Sequence, residues 1–197
     1  SHPVAEAKMK AILAEFSVRE ENEGKFRFCG KEVVQHDDFS ITVTAKDNTE
    51  KIRPIEIGDK RRLADKNTAL ETTALRSVVA SLSWIARQVR PSLSYRVSKL
   101  QSVAGNGCVK DLRTCNQLLE EAQATSDEGL FFTSEGVVWD EAIICTITDA
   151  SFAQEKVMIK DVYEDGRSQL GCIICISPPH AVDHDQVPVH PISWSST

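Results

Sequence analysis

The stretch "TALETTALRSVVASLSWIARQV", residues 68–89, constrains the fold more than any other. Leu75, Val78, Val79, Leu82, Ile85 and Val89 recur at the i, i+3, i+4 rhythm of one helical face. Such a stripe leaves water only if other elements cover it, so this helix must sit against partners. Thr68 has the chemistry of an N-cap, and Glu71 three residues on completes a capping box. Arg90-Pro91 ends the helix, because the residue before proline disfavours the α region. Ser92 restarts helical structure, and Leu93, Val97 and Leu100 form the next stripe until "AGNG" at 104–107. A third helix, 109–124, follows through Leu112, Cys115, Leu118, Leu119 and Ala122. An earlier amphipathic helix over 4–16 carries Val4, Ile12, Leu13 and Phe16 on one face.

The period changes to two on either side of this block. In "KFRFCGKEVVQHDDFSITVT", residues 25–44, alternating runs flank the polar cluster Gln35-His36-Asp37-Asp38, which predicts a β-hairpin turning there. Gly30, inside the first run, predicts a bulge or a close backbone approach. The charged run 54–67, with Pro54 and Gly58, reads as a linker. After residue 127, "LFFTS", "VVWDEAIICTITDAS", "QLGCIICIS" and "HPISWSS" read as strands. The last three, joined by turns and a charged connection, predict an antiparallel meander. The order is helix, hairpin, helical block, β-rich end, which is an α+β class with a boundary near 127.

The 197 residues are 41% apolar and 26% charged, enough for a substantial core. The net charge of −6 is not the basic field of a freestanding nucleic-acid binder, so any such contact needs a local patch. No run reaches the length of a membrane span, and "SHPVAEAKMK" lacks the apolar core of a signal peptide. The cysteines Cys145, Cys172 and Cys175 lie in core-like strands, where a free thiol acts as a small hydrophobe. That usage points to a reducing intracellular compartment. Cys172 and Cys175 have CxxC spacing, but i and i+3 on a strand face opposite ways. His180 and His184, beside Asp183 and Asp185, have H-x3-H spacing in a proline-rich loop; zinc would want further ligands, so the loop reading wins. Trp84 and Trp194 read as packing residues rather than base-stacking platforms.

The chemistry concentrates at "AIICTITDASFAQE", residues 142–155. An apolar strand runs into a lone carboxylate, Asp149, followed by the small Ala150 and Ser151, which leave room for a sugar–phosphate backbone or a hydrated metal. "TDASFA", then "SQLGCIICIS" and "PISWSS", resembles the opening β-meander of a ribonuclease H domain of copia-type LTR retrotransposons. "FRFCGKEVVQHDDFSITVTAKDNTEKI" resembles the segment that follows the catalytic palm in the same family's reverse transcriptase, and "TALRSVVASLSWIARQVRPSLSYRVSKLQS" its thumb. Ser92 stands where the family commonly has Asp in "RPDL". The resemblance covers about residues 16–197. It implies the end of a palm with its hairpin over 1–57, a thumb-like helical region over 58–127, and the first half of a ribonuclease H-like domain over 128–197. It further implies RNA-templated DNA synthesis and RNA-strand cleavage in the parent, Mg²⁺, and an RNA/DNA duplex as partner. Asp149 becomes a catalytic carboxylate and metal ligand. Phe28, Cys29 and Gly30 are then either the piece that supports a primer end or an edge hairpin with a bulge, and Ser151, beside Asp149, lies where the nucleic-acid backbone would approach. Arg87, Arg90, Arg96 and Lys99 cluster around the helix break, either as phosphate contacts or as a solvated helix face, the reading that the net negative charge favours.

The departures set the limits. The paired aspartates of a polymerase, commonly Tyr-x-Asp-Asp, are missing, and Asp37-Asp38 reads as a turn pair. A ribonuclease H centre needs about four carboxylates, of which the resemblance assigns only Asp149; the next is expected on a helix after "WSST". One carboxylate cannot hold two ions. The chain alone is therefore expected to be inactive and to bind no metal tightly. The alternative expectation is a transposon-derived, non-catalytic structural module that binds a protein partner.

Overall fold

The computed structural model describes residues 3–16, 21–133, 135–151, 157–159, 162–164, 169–182 and 186–196. Its class is α+β. Among the described residues the α-helices are α1 (Pro3–Glu15), α2 (Lys46–Glu50), α3 (Ala69–Gln88), α4 (Ser94–Val103) and α5 (Val109–Ala124). The strands are β1 (Lys25–Phe28), β2 (Lys31–Gln35), β3 (Ile41–Thr44), β4 (Leu130–Phe132), β5 (Ile143–Ser151), β6 (Val157–Ile159), β7 (Val162–Glu164), β8 (Gln169–Ser177) and β9 (His190–Ser196). They form an antiparallel sheet β1-β2-β3-β4, a second antiparallel sheet β5-β8-β9, and the pair β6-β7.

The helical block forms as its stripes demand. Leu75, Leu82, Leu112, Cys115, Leu118 and Ala122 are completely buried, and Val89, Leu93, Val97 and Leu100 join them. The capping box at Thr68 is present in both directions, with Glu71 N–H donating to the Thr68 hydroxyl at 3.2 Å and Thr68 N–H to the Glu71 carboxylate at 2.7 Å. Helix α3 stops before Arg90-Pro91, and a 3-10 turn over Pro91–Leu93 leads into α4 two residues later than expected. Helix α1 forms, but much of the predicted apolar face is exposed: Val4 and Ile12 are half-exposed, Leu13 is partly covered, and Phe16, just past the helix, is 62% exposed.

Three local expectations need correction. The predicted single hairpin is a three-stranded meander, because Cys29 (φ 49°) and Gly30 (φ 78°) make a two-residue turn of their own. Two consecutive left-handed residues match the twist of a β-hairpin, and glycine makes the second one cheap. The close-approach reading of Gly30 holds: a Cβ there would lie 2.8 Å from Asn48 Nδ2 and 3.2 Å from Trp84. The run 54–67 has no regular structure, yet its start is no free linker. Ile55 is buried in the helical core, and the Asn116 side chain accepts from its N–H and donates to its carbonyl, both at 2.8 Å. The third departure is β5: read as a strand over 137–151, it begins only at Ile143, and 137–142 are turn and irregular structure.

Chain connectivity and side-chain contacts both tie the sheets to the block. Strand β4, after α5, returns to pair with β3, so the first sheet is completed by residues 130–132. Strand β9 reaches α3 through Trp194, whose indole N–H donates to the Ala86 carbonyl at 2.7 Å. That carbonyl is available because Arg90 N–H turns to Ile85 instead, at 3.1 Å, where the helix unwinds before Pro91.

Candidate functional site

Asp149 sits on the edge strand β5, opposite Gly171 of β8, and Gly171 is opposite Ser196 of β9. Two residues along the same face comes the row Ile147, Ile173 and Trp194. Directly opposed residues share a face, as do i and i+2, so these six stand together. Between this face and the corner Pro91, Ser94 and Tyr95 lies a cleft of about 470 Å³, in which Asp149 is exposed. The room beside the carboxylate comes from Gly171, the neighbour that has no side chain. Its only close atom beyond its chain neighbours, measured from a Cβ placed there, is the Asp149 carbonyl at 3.8 Å. Sequence reasoning credited Ala150 and Ser151 instead. The missed signal was a lone glycine inside an apolar strand pattern, which marks a close approach or a notch.

The residues expected to touch nucleic acid are not gathered in one place. Phe28 and Cys29 form the exposed tip of the β1–β2 turn, with Phe28 62% exposed, while Gly30 packs toward Trp84 of α3. Arg87 is exposed on α3 beside a groove of about 310 Å³ that it shares with Ser83, Trp194, Ser195 and Ser196. Lys99 is exposed on α4. Arg96, half-exposed, is paired with Glu121 of α5 at 2.5 Å. Arg90 turns inward and is 6% exposed; it donates to the Thr125 carbonyl at 2.7 Å and the Thr125 hydroxyl at 3.0 Å, and pairs with Glu128 at 2.9 Å. Its place beside the helix break is structural: it ties the C-terminal end of α5 to the corner after α3. Ser151 stands opposite Gln169 in register, and its side chain lies outside the described residues.

Cys172 and Cys175 face opposite sides of β8, as the period of two requires. Burial, then the neighbouring Cys145, raises the Cys175 thiol, and burial raises the Cys115 thiol to about 11. Both remain protonated thiols, the form of a small hydrophobe rather than a nucleophile or ligand. His184, Asp183 and Asp185 lie outside the described residues. Asp38, of the turn pair, accepts from the Ser40 hydroxyl at 2.6 Å and N–H at 2.9 Å, bonds that lower its carboxyl below the usual range. This is the chemistry of a structural Asx turn.

Asp149 can hold one hydrated cation or accept hydrogen bonds. Among the described residues no three His, Cys, Asp or Glu side chains converge. A single exposed carboxylate does not fit the two-ion arrangement of phosphoryl chemistry, and no reaction step follows from it here. No helix among the described residues is long and apolar enough to cross a membrane. The chain matches no protein-family model, no curated protein and no solved structure.

Proposed function

We propose that this chain is a segment of a copia-type retrotransposon polyprotein. It would comprise the end of a reverse transcriptase palm (1–57), a thumb-like helical region (58–127) and the N-terminal half of a ribonuclease H-like domain (128–197). The supporting observation is the order of elements. A tight-turned β-meander precedes a three-helix block, and an antiparallel β5-β8-β9 meander follows with Asp149 on its first strand. In the parent, RNA-templated DNA synthesis and RNA-strand cleavage would depend on Mg²⁺ held by several acids, a set that does not converge among the described residues. The chain's own contributions are the exposed Phe28-Cys29 turn, cationic side chains on α3 and α4, and one carboxylate.

The test is binding of an RNA–DNA hybrid, followed by fluorescence anisotropy across a salt series. Weak, salt-sensitive binding is expected. The Arg87→Ala/Lys99→Ala double variant should lose affinity and flatten the slope of log K against log salt by about 2, near one unit per phosphate contact. Absence of binding at low salt, or a double variant that binds unchanged, overturns the proposal. Primer extension by the purified chain should stay at background; synthesis above it would refute the claim that the polymerase acids are missing.

A second reading is favoured by the net charge of −6: a transposon-derived module without catalysis that binds a protein partner. Loss of hybrid binding in the first experiment, with the fold intact, would favour it.

A further inference from the structure

Independently of the nucleic-acid reading, we propose that the cleft between the β5-β8-β9 sheet and the Pro91–Tyr95 corner binds a small amphipathic organic cation, of the arylalkylammonium class. The cleft is built in two rows. Ile147, Ile173 and Trp194 supply an apolar floor, and Asp149, Gly171 and Ser196 supply the next row on the same face. Two residues of strand separate the rows by about 7 Å. A ligand whose charge stands a short chain away from a ring or branched body spans that distance. The notch at Gly171 gives its head access to the carboxylate.

The polar lining selects the sign of the charge. Asp149, exposed in the cleft, offers two acceptor oxygens. Gln169 and Ser94 also line it, and each has a side-chain oxygen, now turned away from solvent, that lacks a hydrogen-bond partner and could accept if the side chain turned into the cleft. An ammonium group has three donors and no acceptor, which matches unmet acceptors. Among the described residues that line this cleft there is no Lys, Arg or His, so a phosphate or carboxylate would meet an acid and no counter-charge. Arg87 belongs to the adjoining groove instead. Tyr95 and Trp194 bring aromatic surface to the body of such a ligand.

The probe is phenethylammonium, titrated into the full chain and followed by amide and indole NMR shifts, with phenylacetate as the anion of matching ring and length. Saturable shifts at Asp149, Gly171 and the Trp194 indole are expected, with a Kd on the order of 1 mM for an open, half-solvated ion pair. Phenylacetate should leave these signals in place. Asp149→Asn should weaken binding at least about tenfold, one decade of Kd for the lost charge. Gly171→Val should fill the notch and abolish binding. Gly171→Ala keeps the test sound if valine disturbs the sheet, since its Cβ meets only an ordinary 3.8 Å contact. Equal binding of phenylacetate, unchanged binding by Asp149→Asn, or no saturable shift overturns the proposal. None of these readouts involves nucleic acid, so failure here leaves the polyprotein reading standing, and the reverse holds.

Discussion

The helical block and the β5-β8-β9 sheet are made from equally apolar sequence, yet they bury it very differently. In α3 and α5 the stripes disappear from solvent, with Leu75, Leu82, Leu112 and Leu118 completely covered. In the sheet, Ile144 remains 72% and Ile147 58% exposed, while Cys175 and Ser177 of the central strand are buried. A helix stripe is covered by two neighbouring helices and the docked Ile55 segment. A three-stranded sheet has two faces, and here the block meets only part of one. The lesson is that stability is concentrated in the block, and that the sheet depends on a few docking contacts.

Core truncation should expose this contrast most strongly. Leu118→Ala is expected to cost about 2–5 kcal/mol, the range for a fully buried leucine. Ile147→Ala, more than half exposed, should cost well under half as much; equal losses in denaturant unfolding would erase the distinction. Next comes Arg90→Met. It leaves the Thr125 carbonyl without its donor, for a loss of about 2 kcal/mol by the same measurement. A change within error would mean that the inward clamp carries nothing.

Trp194→Phe removes the indole donor to Ala86 and should cost about 1 kcal/mol. Amide exchange should then accelerate in β8 and β9 more than in α3 and α5. Uniform acceleration would mean that the sheet and the block open together. The smallest expected effect concerns pH. His190 is 4% exposed, packs against Phe132 at 5.7 Å and Trp139 at 5.6 Å, and burial lowers its pKa from 6.5. Its folded-state value lies below the unfolded one, so the unfolded chain binds the extra proton first. Stability should therefore be full above about 6.5 and decline as pH falls through and below that value. His190→Phe should flatten that slope; an unchanged slope would assign it to other groups.

Much of the architecture was legible because it is written in local periodicity. The stripe of α3, its Thr68–Glu71 cap, its stop at Arg90-Pro91 and the alternation in β5 and β8 follow from residues close in sequence. Gly30 predicts a bulge or a close approach; the close approach is there, but the turn that Cys29 and Gly30 make is not legible, because one glycine serves several purposes and only backbone angles decide. Helix α2 escaped notice, since five residues are too few for a stripe; Gln123 of α5 secures its end by donating to the Thr49 and Ile52 carbonyls.

What the chain's order of residues determined by itself was the helical block with its caps and stops, the strands of the β-rich end, and the carboxylate at position 149. Tertiary structure alone decided that β4 closes the first sheet, that Arg90 points inward, and that Gly171 stands opposite Asp149. These facts pair residues tens of positions apart. No local preference encodes such a pairing; it is set by which surfaces exclude water together.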